Sequence, residues 1–351
     1  MLTADIRHAV WAAARDAAAA GELPAMIPDG SRPADPSTLR PAGPGGYAST
    51  LPYLLATPRL APRQAAQALA ARVAAQPWIA AAGATTGHLI ITVTDDALAA
   101  LPARIASAAD CTASGILRGL PVPAAAPADL AAAPTWAEAA RRLTSSLTGR
   151  LARAAGADIF AERLRPTQAA APDPPPALPI SVALGYAGPD VLAWALLTHR
   201  PGWQPASLAG LPVRCHLSNP VYAVRYARAH AASTLRQAAG LGLSRGEAVA
   251  FAPGLLGQPA ERSLLDVLSW LPERVAQAAR RGRPGAFARY LEDLAAAYQD
   301  CREQCPALPF GGHSAPRQED MIRARLWLAT AAGTAIAAGL GLLGVSAPAR
   351  L

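Results

Sequence analysis

Residues 218–230 read SNPVYAVRYARAH, and this stretch decides the fold of the second half of the chain. Asn219, the only asparagine in the sequence, stands where a side-chain oxygen can accept a hydrogen bond from the first free backbone N–H groups of a helix. Pro220 needs no N–H at the first helical position, and Gly240 is a residue type that commonly closes a helix. The stretch therefore predicts a long helix that begins at Pro220 and is closed at Gly240.

The same helix carries candidate RNA contacts. Arg225, Arg228 and Arg236 fall on or near one helix face, and Tyr222 and Tyr226 are one turn apart. Arginines hold phosphates and aromatic rings stack on unpaired bases, so a basic face with interleaved aromatics suits an RNA loop. The alternative is that both tyrosines are core residues whose hydroxyls reach water. This helix therefore offers Tyr222, Arg225, Tyr226, Arg228 and Arg236 as candidate RNA contacts.

Helical patterns continue on both sides of this stretch. Further helices are predicted at 190–197, 244–251, 263–281, 284–304 and 318–338. Together they predict an all-α bundle over residues 188–351. Its tail includes a 20-residue run without a charge, 326–345, which has the length of a membrane span. Glycines crowd the last third of that run and alanine dilutes its hydrophobicity, so we expect a buried last helix and no membrane anchor.

The N-terminal part predicts a different unit. Residues 1–110 combine a first helix, a helix opened by Pro62, and the alternating strand 88–94, which together indicate a small α/β domain. Residues 111–187 contain two proline-rich stretches on either side of one helix, 136–155. That pattern is typical of a connector. The predicted fold class is mostly α: a small α/β domain, a proline-rich connector and a C-terminal helical bundle.

Composition favours helices and an anionic partner. The sequence is 52% hydrophobic but only 5% aromatic, so much of its apolar content is alanine, which favours helix. Its formal net charge is +8, and every one of the 32 basic residues counted as lysine or arginine is arginine. A basic excess favours RNA or an anionic membrane surface, although scattered excesses are common in soluble proteins. Chemistry that needs a lysine is excluded within these 351 residues.

The cysteine pattern predicts reduced thiols in the cytoplasm. The chain has four cysteines, and residues 1–21 have the pattern of a charged helix, not of a signal peptide. Cys301 and Cys305 could share a helix face with His313 nearby, but no fourth ligand follows at the spacing of a zinc site. We therefore expect neither a metal nor a cofactor.

Three segments resemble, in the same order, segments of arginyl-tRNA synthetases. They are GPDVLAWALL at 188–197, the 218–230 stretch, and LGLLGVSAPARL at 340–351. The family has a glycine- and aspartate-containing entry to its helical domain, a helix of the form NPVYxVQYAHAR, and the ending LGVxAPExM. The resemblance implies that residues 188–351 form a DALR-type anticodon-binding domain, with tRNA as partner.

The N-terminal unit is similar to another domain of the same family. The segments GGYAST at 45–50, PRQAA at 62–66 and GHLII at 87–91 resemble the family's N-terminal additional domain. In the family that domain contacts the tRNA elbow. The similar regions together cover about 250 residues.

The catalytic signatures of the family are absent from this sequence. Class I synthetases cradle ATP with a His-x-Gly-His motif and a Lys-Met-Ser-Lys-Ser loop, whose cations stabilise charge on the α-phosphate. The six histidines include no pair three residues apart, and there is no lysine. Residues 135–159 resemble a relic of the helix that follows the first motif. We therefore predict no catalytic residues of the usual kind.

The candidate site also departs from the family at several positions. Arg225 replaces the family's glutamine, and Arg228 and His230 stand in the reverse of the family's order. The aromatic pair associated with anticodon stacking is replaced by the cysteine and arginine at 301–302, with Tyr298 one turn earlier. Each exchange removes a stacking or base-edge contact, so the cognate tRNA is left open. The resemblance adds Asn219, His230, Tyr298 and Arg302 to the RNA contacts expected from the helix at 220–240, which are Tyr222, Arg225, Tyr226, Arg228 and Arg236.

Three functional hypotheses follow. The first is a non-catalytic, cytoplasmic tRNA-binding paralogue. The second is an accessory subunit or tRNA-dependent transferase that acts in arginyl-tRNA aminoacylation or on charged tRNA, with a synthetase or another protein as its partner. The third is a protein-interaction module derived from a synthetase, whose arginines form only a solvated face.

Overall fold

The structure, a computed structural model, describes residues 2–24, 39–43, 45–124, 126–160, 178–199, 205–211, 215–246, 255–308 and 316–351. Its helices are α1 (Leu2–Ala19), α2 (Leu51–Leu55), α3 (Pro62–Val73), α4 (Asp95–Ala99), α5 (Leu101–Ser107), α6 (Trp136–Ala154), α7 (Ile180–Ala187), α8 (Pro189–Thr198), α9 (Pro220–Gly240), α10 (Pro259–Ser269), α11 (Leu271–Arg280), α12 (Pro284–Gln304) and α13 (Pro316–Leu342). Its strands are β1 (Leu39–Pro41), β2 (Gly46–Ser49), β3 (Ile79–Thr85), β4 (His88–Val93), β5 (Pro121–Pro123) and β6 (Asp158–Phe160). The predicted mostly α fold, with a small N-terminal sheet and a C-terminal helical bundle, is confirmed.

The N-terminal sheet is a four-stranded antiparallel sheet in the order β1-β2-β4-β3. β3 and β4 form a hairpin whose two loop residues, Thr86 and Gly87, both have positive φ angles, 49° and 88°. This is the backbone that a two-residue hairpin requires, because its twist matches that of the strands. Leu89, Ile91 and Val93 alternate along β4 and are buried. They face α3, which packs on β3 and β4.

The N-terminal unit packs directly against the helical bundle. The Arg7 guanidinium forms a buried two-point ion pair with the Glu273 carboxylate, at 3.1 and 2.6 Å. The Tyr47 hydroxyl donates to Ser269 Oγ at 2.9 Å, and the Thr3 hydroxyl donates to the Ser269 carbonyl at 3.0 Å. Apolar residues of both regions belong to one continuous core.

Helix α6 confirms the helix predicted at 136–155. The Thr135 hydroxyl caps it by accepting from the Glu138 N–H at 3.2 Å, and Gly156 ends it with a φ of 83°. Its apolar face packs against α11 and adds Trp136 and Leu147 to the core. The residues between the predicted connector's proline-rich stretches therefore form part of the packed interior.

The C-terminal bundle is built around α9, which packs against α12 and α13. Glycines in α13 allow this close approach: a Cβ at Gly333 would lie 3.1 Å from the Ala231 Cβ, and one at Gly339 would lie 2.5 Å from a methyl group of Leu291. Among the described residues, one single helix, α13, is long and apolar enough to cross a membrane. The pair α7–α8, which is sharply bent between its two helices, passes the same test only if both helices are counted as one span. Most of that stretch of α13 is buried within the bundle.

Two local predictions need correction. The pattern at 263–281 predicted one helix, but the structure has two, α10 and α11, with Trp270 between them. Pro272 explains the break, since it provides no N–H to continue α10 and is accommodated in the first turn of α11. Asn219 does occupy the N-cap of α9, but its side chain makes no capping hydrogen bond. Most of the helix predicted at 244–251 lies outside the described residues.

Candidate nucleic-acid interface

Helix α9 places Tyr226 and His230 one turn apart, facing α12. Helix α12 contributes Tyr298 and Arg302, which are also one turn apart. Since residues four positions apart share a helix face, each helix presents a pair to the other. We call these four residues the aromatic cluster.

The aromatic cluster is held by ring contacts and one hydrogen bond. The His230 ring centroid lies 6.2 Å from that of Tyr226 and 5.9 Å from that of Tyr298. His230 Nδ1 is 3.1 Å from the Tyr298 hydroxyl, within hydrogen-bond distance. The Arg302 guanidinium lies over the Tyr226 ring, 5.8 Å from its centroid, a cation–π distance. Its Nε donates to Gln299 Oε1, which fixes the direction of the side chain.

The surroundings set the charges within the cluster. Burial lowers the pKa of His230, and the positive charge of Arg302 lowers it further. Burial also raises the pKa of Tyr298 to about 12. At neutral pH the cluster therefore holds a neutral imidazole, a neutral phenol and the permanent cation Arg302.

Two cavities flank Arg302. One has a volume of about 290 Å³ and is lined by His230, Tyr298 and Arg302, with apolar walls from Leu308 and Leu328. The other, of about 320 Å³, is lined by Tyr226, Arg302 and other residues of α9 and α12. Both are close to the lower end of the size range of small-molecule sites. Their walls combine flat rings with hydrogen-bonding groups, which suits planar heterocycles such as nucleobases.

The three candidate arginines of α9 lie on another face of the helix. Arg225 forms an ion pair with Asp190 of α8 at 3.6 Å. Arg228 lies half-buried against α13, where its Nη1 would be 3.6 Å from a Cβ at Gly333, and burial lowers its pKa. Exposed Arg236 donates to the Ala349 carbonyl at 3.2 Å. These side chains connect α9 to its neighbours and do not join the aromatic cluster.

The remaining two candidates differ from each other in accessibility. Asn219 is only 1% exposed, so its side chain lies in the interior. Tyr222 is half-buried on α9, one turn before Tyr226, and does not take part in the ring contacts of the cluster.

Comparison with known proteins identifies the region that contains the cluster. The profile of the DALR anticodon binding domain matches residues 224–351. These residues form a DALR anticodon-binding domain. The sequence is 43% identical over 133 residues to the arginine–tRNA ligase of Clavibacter sepedonicus and 37% identical over 169 residues to that of Renibacterium salmoninarum.

The likeness to those enzymes is partial. The matched segments cover 38% and 48% of this chain but only 23% and 30% of the two ligases, so the chain spans at most about a third of their length. Two solved structures share a weaker likeness over 60% of this chain. They are a putative arginyl-tRNA synthetase from Campylobacter jejuni (44% of that chain, 16% identity, TM-score 0.38) and the Thermus thermophilus arginyl-tRNA synthetase (32% of that chain, 23% identity, TM-score 0.35).

The two cysteines at the end of α12 lie in the DALR domain close to the cluster. Both are buried, and burial raises the pKa of Cys301 to about 12 and also raises that of Cys305. Both are therefore neutral thiols at neutral pH, which makes them poor nucleophiles. Within the described residues no group of three or more metal-ligating side chains is found, and His313 lies outside those residues.

Sequence reasoning missed the residues that orient the DALR domain's arginines. Asp190 pairs with Arg225 and also accepts from the Ser346 hydroxyl at 2.5 Å, which links α8, α9 and the C-terminal segment. Gln299 orients Arg302. Asp190 was visible only as part of the 188–197 motif, and Gln299 gave no signal except its position three residues before Arg302.

Proposed function

We propose that this protein is a non-catalytic tRNA-binding protein, a pseudoenzyme related to arginyl-tRNA synthetase, that holds tRNA through its DALR domain. The observation that carries the proposal is the match of residues 224–351 to an anticodon-binding domain that contains all four residues of the aromatic cluster. The absence of lysine and of a His-x-Gly-His motif from these 351 residues supports the non-catalytic part. We assign the RNA contacts to the unit 188–351 and place the protein in the cytoplasm, off the membrane.

The cluster offers three kinds of RNA contact. Arg302 is a permanent cation beside two cavities and can hold a backbone phosphate. The Tyr226 ring can stack on a base, which contributes about 1–3 kcal/mol per base in single-stranded RNA complexes. His230 and Tyr298, both neutral, can exchange hydrogen bonds with a base edge. In this arrangement the arginines of α9 make secondary contacts with RNA phosphates, and Arg236, which is exposed, is the most accessible of them.

A binding assay with matched variants tests this assignment. Filter binding or fluorescence anisotropy would compare total tRNA with an unrelated RNA of equal length, across a range of salt concentrations. We expect tighter binding to tRNA. Arg302→Gln should weaken binding and lower the salt slope by about 0.7–0.9, because one phosphate contact is lost. Tyr226→Leu should weaken binding without changing the slope, since stacking releases no counterions.

Arg289→Gln is the matched control. Arg289 is exposed on the same helix as Arg302, about 20 Å away along the axis. Its loss should leave affinity for tRNA unchanged. Equal affinity for tRNA and unrelated RNA, or equal effects of the Arg289 and Arg302 substitutions, would contradict the proposal.

The non-catalytic part needs its own assay. The purified protein alone should neither charge tRNA with arginine nor support arginine-dependent exchange of pyrophosphate into ATP. Charging by the protein alone would refute this part. A rise in charging when the protein is added to an arginyl-tRNA synthetase would instead support the accessory role.

A further inference from the structure

A third cavity, lined by cations that have no ion pair among the described residues, lies where the N-terminal sheet meets α11. It has a volume of about 530 Å³. One wall includes Arg40 on β1. The other includes Trp270 just before α11, Arg274 and Gln277 within α11, and Arg281 just after it. None of these residues lines the cavities beside the aromatic cluster. We call it the seam cavity.

The seam cavity follows from two features of local structure. The break between α10 and α11 at Trp270 starts a new helix whose positions 270, 274, 277 and 281 share one face. β1 is an edge strand paired only with β2, so no further strand of the described sheet separates its residues from α11. The sheet edge and the helix face thus form opposite walls.

The charge of the seam cavity is strongly positive. Arg40, Arg274 and Arg281 contribute three cations, and none of them has an ion pair with any residue that the structure describes. Glu273 is the acidic residue of the described lining, and it already pairs with Arg7 at 2.6 Å. Three guanidinium groups around one space repel one another unless an anion lies between them.

Arg274 also has an unused donor. Its Nε is buried and has no hydrogen-bond partner among the described residues, while its Nη1 reaches Gln277 Oε1 at 3.5 Å, the outer limit for a hydrogen bond. The guanidinium lies 5.9 Å from the centroid of the Trp270 ring, which holds it beside the cavity. A buried donor without a partner is costly, and an anion in the cavity would supply one.

We propose that the seam cavity binds a phosphate-bearing ligand of mononucleotide size. Guanidinium groups match phosphate oxygens through paired N–H donors, and three of them suit a group with more than one negative charge. A volume of about 530 Å³ lies within the range of pockets for small organic ligands and leaves room beyond the phosphate. The phosphate can belong to a free nucleotide or to an RNA chain. The proposal does not depend on the function of the aromatic cluster.

Calorimetric titration of the full chain with a nucleoside diphosphate, and separately with inorganic pyrophosphate, tests the proposal. Arg40 and Arg281 are both exposed, so Arg40→Gln and Arg281→Gln leave the core intact. Each substitution should weaken nucleotide binding about tenfold, as expected for the loss of a charge-assisted hydrogen bond. The control is Arg63→Gln, on exposed α3 surface outside the seam cavity, which should bind like the wild type.

The outcomes separate the sources of the phosphate. Nucleotide binding that both substitutions weaken supports a free nucleotide as ligand. RNA binding that both substitutions weaken, without measurable nucleotide binding, supports an RNA phosphate as the occupant of the seam cavity. Combining these substitutions with Arg302→Gln then shows whether the seam cavity and the aromatic cluster contribute to RNA affinity independently. Absence of nucleotide binding together with RNA binding that neither substitution changes would overturn the proposal.

Discussion

At the scale of single residues, His230 links the two helices of the candidate interface. It faces Tyr226 and Thr234 on its own helix and Tyr298 and Arg302 on α12. Burial and the nearby cation both favour its neutral form, so its pKa lies below the ordinary value of 6.5. The folded protein therefore holds a proton on this ring less tightly than the unfolded chain does.

This shift predicts how stability depends on pH. The contribution of His230 to the free energy of unfolding should be complete above the unfolded pKa, near 6.5, and should be lost as the pH falls through the lowered folded pKa. Urea denaturation of the wild type and of His230→Gln, at about pH 7.5 and about pH 5, measures this. Relative to the variant, the free energy of unfolding of the wild type should be lower at about pH 5 than at about pH 7.5. If it were instead higher at the lower pH, His230 would gain a charged partner on folding.

The residues of the cluster could be named from the sequence, but their grouping could not. Tyr226, His230, Tyr298 and Arg302 were all candidates because of their type and their position in family-like segments. The structure unites these four and directs Arg225 and Arg228 elsewhere, through contacts with α8 and α13. Helical spacing within α9 gives relative directions only, so it cannot say which neighbour each face meets.

At the scale of elements, close packing of helices depends on glycines that periodicity does not single out. Gly285 is the second residue of α12, and a Cβ there would meet the backbone carbonyl oxygen of Leu197, near the end of α8, well inside contact distance. A backbone carbonyl cannot move aside as a side chain can. The approach of α8 to α12 therefore requires a residue without a side chain at this position.

A pair of substitutions tests this requirement. Gly285→Ala should lower the free energy of unfolding by about 1–3 kcal/mol or more, because one helix must shift to admit the methyl group. Gly185→Ala, within α7 and facing open space, should instead raise it by about 0.5–1 kcal/mol through better helix propensity. Chemical denaturation of both variants gives the comparison. If both substitutions changed the free energy of unfolding equally, helix propensity and not the contact with Leu197 would determine the effect at Gly285.

Element boundaries were predictable where the signal was local. The helix at 136–155, the strand at 88–94 and the α9 start at Pro220 were confirmed within one or two residues, because caps, alternation and proline act on neighbouring residues. The division of 263–281 at Trp270 was missed, since both halves share helical periodicity across the break. The seam cavity depends on that division.

At the scale of the whole molecule, the buried pair Arg7–Glu273 joins two regions that are more than 260 residues apart in sequence. Burial raises the pKa of Glu273, and the Arg7 guanidinium opposes that rise. No sequence pattern predicts such a pairing, because periodicity carries no information on distant partners. The same limit kept Arg40 and Arg274 from being grouped as one site.

Breaking this pair should destabilise the whole fold. Arg7→Met should cost about 3–5 kcal/mol, because it leaves the Glu273 carboxylate buried without a partner. The double variant Arg7→Met/Glu273→Leu should cost less than the single one, since no charge remains in the interior. Urea denaturation measures both. Additive losses in the double variant would show that the two side chains contribute independently, through packing alone.

The glycine-lined contact between α9 and α13 also has a consequence for synthesis on the ribosome. About 100 residues separate the end of α9 from the end of α13, which takes about 5–20 s to translate at ordinary elongation rates. During that interval the face of α9 that will meet α13 has no partner, and its small apolar side chains are exposed to the cell. The nascent chain should therefore be a client of holding chaperones until α13 emerges.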